Sequence, residues 1–398
     1  MLNITRSPLA ASYGAPGFEM RSKVVHLTSV HSPSDIRIFF KECRSLAAAG
    51  YEVVLVAPGG KDRFVEGVQV RAITKAARRL ERMTKIVWAV YRAAVRERAE
   101  IYHFHDPELI PVGLLLRLRG ERVIYDVHED VPRDILSKYY LPVWARSFIG
   151  NVVEVIENFA ARRFSALVSV TPHITKRFRN LNARVVTVQN FPLLDELADD
   201  ISSWQEREAA VAYVGMMTVS RSIREMVVAL SLLPEGCTAE LRLAGTYSPE
   251  RLRDEVAKLP GWERVRELGF LDRRVVKQSL GRVRAGLVLF YPEPNHIYAG
   301  PNKMFEYMAA GIPVIASDFP LWREIVEGAG CGKLVDPLDP QAIADAIAYL
   351  LSHPEEAEAM GRNGRRVVEE RYNWKNEEKK LLALYRKLLS RVPNRHNA

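Results

Sequence analysis

Residues 300–320, GPNKMFEYMAAGIPVIASDFP, decide the fold, because a turn, a short amphipathic helix and a buried strand follow one another within one span. Gly300 and Pro301 predict the turn, Asn302 is placed to cap the helix, and Met304, Phe305, Tyr307 and Met308 give that helix apolar flanks. Gly311 stops it, and the short β-branched run 313–316 reads as a parallel strand buried on both faces. A helix that starts beside such a strand turns its free amides toward a cleft, which suits a phosphate. Glu306, one turn inside, would repel that phosphate, and a sugar diol is the natural partner for its two acceptor oxygens. Periodicity alone favours an ordinary solvated residue at this position.

The chain around this stretch has 398 residues and 48% hydrophobic content, enough for two domains with full cores. A net charge of +9 points to an anionic partner without separating a nucleotide from a nucleic acid or an acidic membrane. No aromatic base-stacking module accompanies the charge, so nucleic acid is not expected. Cys43, Cys237 and Cys331 are far apart and show no metal-ligand spacing, which predicts reduced core thiols in a cytoplasmic protein. Apolar runs such as 149–156 are interrupted by Asn151 and Glu154, so no membrane span is predicted. Residues 1–20, with Pro8, Gly14, Pro16 and Gly17, read as a flexible extension.

Residues 23–58 read as strand, loop, helix and strand, one βαβ unit. Further strand signals at 101–104, 122–126, 166–170 and 185–188, with helical patterns between them, fill a first domain over 21–190. The acidic, Ser-containing stretch 191–208 reads as a linker. Alternation resumes at 211–215 and continues through 239–245, a strand near Leu268 and 286–292, giving a second domain over 209–373, followed by a helix and tail over 374–398. Two doubly wound domains imply a cleft lined by the carboxyl ends of both sheets. No G-x-G-x-x-G follows the first strand, so NAD chemistry is disfavoured.

Several segments place chemistry at that cleft. In VHSPSDIRIF, His31, Asp35 and Arg37 flank a helix start, either as a cap or as the cleft mouth near an acceptor. In IYHFHDPELIP, His103 and His105 are read as facing opposite sides, so that only His105, beside Asp106, reaches the cleft. A neutral imidazole there can hydrogen-bond a sugar hydroxyl or a developing charge. A His-x-His pair also suits a metal, but no third ligand with suitable spacing follows, and no metal site is expected. The next strand ends with Asp126, His128 and Glu129 at the same edge. In the second domain, Gly215 ends a strand and Arg221 precedes a helix, a geometry suited to a diphosphate. Residues 75–98 hold eight basic and two acidic residues interleaved with Ile86, Val87, Trp88, Val90 and Tyr91, and 137–150 adds Tyr139, Tyr140, Trp144 and Phe148. Both suit anionic lipid headgroups, and both equally suit core-facing helices with solvated basic faces.

Taken together, these residues resemble the retaining glycosyltransferases of family 4, known as glycosyl transferases group 1, over roughly residues 22–390. The resemblance implies an α/β chain of GT-B fold, two Rossmann-like doubly wound domains facing across a cleft. It implies no bound cofactor and a nucleotide-diphosphate sugar as co-substrate, held mainly by the second domain, with a glycan or lipid-linked acceptor on the first. Glu306 matches the family glutamate that holds the ribose diol, Arg221 its phosphate-binding cation, and His105 the histidine that approaches the transferred sugar. His105, Arg221, Lys303 and Glu306 are thus the expected catalytic set. Gly215, Tyr298, Ala299, Gly300, Pro301, Asn302 and Met304 join Arg221, Lys303 and Glu306 around the donor, and His31, Asp35, Arg37, Asp106, His128 and Glu129 lie on the acceptor side.

Two positions depart from the family. Tyr298 stands where the first of its paired glutamates is expected, and Met216 where an arginine usually follows the glycine. The implied reaction is metal-independent, front-face transfer with retention, in cell-surface polysaccharide or lipopolysaccharide synthesis, at the inner face of the cytoplasmic membrane. The alternatives are an epimerase or phosphorylase on the same fold, or a lapsed sugar-nucleotide-binding subunit.

Overall fold

The computed structural model describes residues 22–78, 81–136, 142–194 and 203–390. The extension expected over 1–20, Tyr139 and Tyr140, the middle of the linker and the end of the tail lie outside the described residues.

The first sheet contains β1 (Lys23–Leu27), β2 (Glu52–Pro58), β3 (Arg63–Val65), β4 (Val68–Ile73), β5 (Ile101–Phe104), β6 (Arg122–Val127), β7 (Ala166–Ser169) and β8 (Val185–Thr187). Its order is β3-β4-β2-β1-β5-β6-β7-β8, parallel everywhere except the β3–β4 hairpin. That hairpin is not legible as strands: its turn is made by Glu66 and Gly67, with φ of 50° and 80°, and although glycine suits the second position, glutamate is not one of its usual partners there. The second sheet, β9 (Ala210–Val214), β10 (Glu240–Ala244), β11 (Val265–Gly269), β12 (Ala285–Val288), β13 (Val314–Ser317) and β14 (Gly332–Val335), runs β11-β10-β9-β12-β13-β14 and is parallel throughout.

Side chains alternate between the faces of each strand, and this decides which residues meet. Val25, Leu27, Tyr102, Phe104, Val123 and Tyr125 pack on one face of the first sheet under the helices Val87–Glu97 and Ile110–Leu118. Val24, Ile101 and Ile124 pack on the other, under the π-helix Ile36–Cys43 and the final helix Trp374–Leu389. The expectation that His103 and His105 face opposite sides is therefore corrected. Residues two apart share a face, and the rings of His103 and His105 lie 4.8 Å apart on the Ile101 side.

The last helix returns from the second domain to pack on the first. Trp374 Nε1 donates to Ser45 Oγ at 2.9 Å, and the Gln189 amide donates to Glu377 Oε2 at 2.9 Å. The two domains are thereby joined by two chain crossings.

The basic stretch 75–98 turns Ile86, Val90 and Ala94 into the core, so its apolar stripe holds the domain together. An outward apolar face lies instead on the helix Val143–Ala161. Trp144, Phe148, Val152, Val155 and Phe159 recur at intervals of four, four, three and four residues, and all are exposed, Trp144 by 76%. The carboxylates of this helix turn away from that face: Glu154 pairs with Arg133 at 2.7 Å and Glu157 with Arg177 at 2.6 Å.

Candidate functional site

A cavity of about 1270 Å³ opens between the carboxyl ends of the two sheets. Its second-domain wall is set by β9 and the helix Asn302–Ala309. The Val214 amide donates to Tyr307 Oη at 2.8 Å, tying the strand end to the helix. Gly215 follows with φ of 130°, where a Cβ would lie 3.2 Å from Lys303 Nζ. The positive φ favours glycine here, and a side chain would also crowd the lysine's ammonium end.

Lys303 Nζ stands 3.6 Å above the Tyr213 ring centroid, and Arg221 Cζ stands 3.7 Å above that of Phe290. Among the described residues neither cation makes an ion pair with a carboxylate. Burial, then the charge of Arg221, push the Lys303 ammonium well below the ordinary lysine range, against the opposing charge of Glu306. Burial likewise lowers Arg221. Two buried-side cations held by aromatic faces and lacking a carboxylate form a site made for an anion.

The helix start reinforces this. Asn302 does not cap the helix as expected: Pro301 occupies the capping position and Asn302 is the first helical residue, with no side-chain cap present. The leading amides are therefore left to the cavity, where Gly300, Pro301 and Asn302 form part of the wall. Trp322 Nε1 holds this loop by donating to the Ala299 carbonyl at 2.7 Å. Glu306 also lines the cavity, and among the described residues its carboxylate has no hydrogen bond or ion pair. Met304 is fully buried beneath the helix, so it supports the wall without forming it.

On the first domain, His31, Asp35, Arg37, His128 and Glu129 line the cavity, whereas His105 and Asp106 do not. Asp106 turns back to the β1 loop, accepting from Thr28 Oγ1 at 2.7 Å and the Ser29 amide at 2.6 Å. His105 is buried behind His128, its Nδ1 3.2 Å from Asp126 Oδ2, and burial pushes it down to about 3. Its expected direct approach to the sugar is thus not what this geometry provides. His128 occupies the wall instead, its Nε2 3.0 Å from Asp126 Oδ2.

Arg37 is mostly occupied inward, with Nε and Nη2 on the two Asp126 oxygens at 2.9 Å and Nη1 on the Val188 carbonyl at 3.0 Å. Asp35 caps the π-helix through the amides of Arg37 and Ile38 and also meets His31 Nδ1 at 3.2 Å. Burial opposes charge on His31, but Asp35 and Asp106 outweigh it and raise the ring's pKa. The capping and cleft readings of this loop therefore hold together.

Sequence reasoning missed Glu293 and His173. Glu293 lies on the cavity wall, where burial raises its pKa and Arg221 opposes the shift. Only a turn signal, YPEPN, marks it in the sequence. His173 opens the helix Pro172–Arg179 and stacks on Tyr298 of the other domain, a pairing between positions with no relation in sequence.

Residues 40–193 match the family model for the glycosyl transferase 4-like domain, and residues 195–367 match that for glycosyl transferases group 1. Phosphatidyl-myo-inositol mannosyltransferase of Mycobacterium leprae is 24% identical over 365 residues, 85% of this chain and 89% of its own. The sucrose-phosphate synthase of Thermosynechococcus elongatus has a similar structure, with a TM-score of 0.78 at 20% identity over 94% of this chain and 100% of its own. HepE of Anabaena, solved with UDP-glucose, has a TM-score of 0.69 at 15% identity over 92% of this chain and 99% of its own.

Proposed function

The chain belongs to the glycosyl transferases group 1 family of the GT-B fold, and from that membership we propose a retaining transferase. It moves a sugar from a nucleotide-diphosphate donor to a glycan or lipid-linked acceptor in surface polysaccharide synthesis. One observation carries the donor assignment: Arg221, Lys303 and the uncapped helix start converge on one wall, beside Glu306, and among the described residues neither cation has a carboxylate partner and Glu306 has no hydrogen bond or ion pair. In this reading the two cations and the amides stabilise the leaving diphosphate as charge develops on it. Glu306 accepts from the ribose diol. No carboxylate is assigned as a covalent nucleophile, and the leaving phosphate itself takes the acceptor proton, so that the protein contributes position and electrostatics. No metal is assigned to this step. His128, oriented by Asp126, faces the acceptor from the opposite wall.

A lipid-linked acceptor fits the outward apolar face of the helix Val143–Ala161. Arg162 and Arg163 are exposed at its end, with Arg119 exposed on the neighbouring helix terminus. A face of aromatic and branched side chains bordered by arginines suits insertion at an anionic bilayer surface.

Thermal-shift and calorimetric titration with UDP-, GDP- and ADP-sugars tests the donor reading, and NMR of the anomeric product tests retention. Binding of one sugar nucleotide that vanishes in Glu306→Ala supports the site. Wild-type donor affinity and transfer in that variant would overturn it, and binding without transfer to any acceptor would favour the lapsed subunit.

A further inference from the structure

A second polar cluster lies behind the cavity wall, on the sheet face covered by the π-helix. β1 and β5 pair in parallel with His26 opposite His103, and His105 follows two residues on, so three imidazoles share one face. Their ring centroids are separated by 4.7, 5.1 and 4.8 Å. Glu42 descends from the π-helix onto the same spot, its Oε2 3.8 Å from both His26 Nδ1 and His103 Nδ1. His26 Nδ1 is in turn 2.9 Å from His105 Nε2. One ligand atom from each of the four residues lies within 4.8 Å of the others.

All four residues are buried, none more than 2% exposed. Both Glu42 oxygens and His103 Nε2 lack a hydrogen bond, although Arg37 Nε approaches Glu42 Oε1 at 3.1 Å. Buried polar atoms are seldom left so, and although Arg37 already balances part of the charge on Glu42, a carboxylate facing three imidazoles presents one set of ligand atoms to a second cation. Zinc–nitrogen bonds of about 2.0–2.1 Å in a tetrahedron place ligand atoms roughly 3.4 Å apart. The separations of 2.9 and 3.8 Å bracket that spacing.

The surroundings match those of metal-bound imidazoles, whose second nitrogen is held by a polar partner. This holds for two of the three rings: Asp126 Oδ2 meets His105 Nδ1 at 3.2 Å and Tyr385 Oη meets His26 Nε2 at 3.1 Å, whereas on His103 Tyr385 Oη meets Nδ1 at 2.8 Å, the nitrogen that faces Glu42. His128, on the cavity wall, lies 3.2 Å from His105 Nδ1, so one imidazole separates the cluster from the cavity.

We propose that His26, Glu42, His103 and His105 form a buried site for a divalent transition-metal cation, zinc first among them. Three imidazoles and one carboxylate suit zinc, whereas magnesium and calcium prefer all-oxygen sets. Four protein ligands leave no open position, so the ion is structural. It clamps β1 and β5 to the π-helix and, through Tyr385, to the returning final helix.

The test reads metal and stability, not transfer, and so stands apart from the donor site. The full chain is stripped with a strong chelator, then titrated with zinc and with cobalt. The expected result is a stoichiometric visible cobalt band of the four-coordinate type, displaced by zinc, and an upward Tm shift on zinc addition. Glu42→Gln and His103→Ala should weaken or abolish the band. Absence of a stoichiometric band with a zinc-insensitive Tm in the wild-type chain overturns the proposal, whether or not the variants fold. An unchanged band in both variants also overturns it, by placing the metal elsewhere.

Discussion

Tyr298 of the second domain stacks on His173 of the first across the cavity mouth, ring centroids 4.5 Å apart and planes 4° from parallel. A glutamate here could not make this contact, so the residue that departs from the resembled family's pattern is the one that supplies a ring stack between the domains. Tyr298 is 49% exposed, so Tyr298→Ala should leave the fold intact. A stacked pair contributes about 0.5–1.5 kcal/mol, which predicts a roughly 2- to 10-fold loss in kcat/KM. His173→Ala should match it, and the double variant should lose little more. Additive losses in that cycle would show that the stack is not the shared cause.

Glu306→Ala should weaken sugar-nucleotide binding by about 10- to 100-fold, the loss of charged hydrogen bonds of about 1.5–3 kcal/mol. Because the carboxylate has no partner among the described residues, thermal stability should barely change. Calorimetry against the free nucleotide and a parallel melt separate these effects.

Lys303 should couple donor binding to pH. Its folded-state pKa is depressed by burial, so the unfolded chain binds more protons between the folded and ordinary lysine values. Stability therefore rises with pH through that window, and the cost is fully present below it. A diphosphate offsets the burial cost of the ammonium and raises its pKa on binding, so within that window binding is linked to proton uptake and strengthens as pH falls. Calorimetry in buffers of differing ionisation enthalpy measures the uptake. Lys303→Met should bind donor poorly yet melt a few degrees higher, and a lower Tm would contradict the burial argument.

Arg37→Met should destabilise the first domain by about 3–5 kcal/mol, since it strands buried Asp126 without its bidentate partner. Urea unfolding reads this directly. A change below about 1 kcal/mol would assign Arg37 a surface role instead.

The outward helix face predicts co-sedimentation with vesicles containing phosphatidylglycerol and little with neutral ones. Trp144→Ser and Phe148→Ser should each reduce binding about tenfold, taking about 1.5 kcal/mol per inserted side chain. Equal pelleting with both vesicle types, or none, removes the membrane assignment.

Much of the fold is legible locally. β-branched runs bounded by turns locate most strands of both sheets, and the motif at 300–320 marks one wall of the cavity before any contact is known. The β3–β4 hairpin escaped because its turn pair is Glu66-Gly67 and not Asn-Gly, Asp-Gly or Gly-Gly, and the stretch 75–98 left two readings open because a basic amphipathic pattern is the same whether its apolar stripe meets lipid or core. The grouping of His103 and His105 with further imidazoles is not local. His26 lies 77 residues upstream of His103 and becomes its neighbour only through parallel strand register.

The sequence by itself determined the two α/β domains, the family and the place of Arg221, Lys303 and Glu306 at strand and helix ends that face the cleft, because periodicity and turn chemistry are local. Tertiary structure alone decided that His105 sits behind His128, that Tyr298 meets His173, and that Glu42 faces three histidines. Such contacts depend on strand register and domain docking, which bring together residues from distant parts of the chain that no local pattern relates.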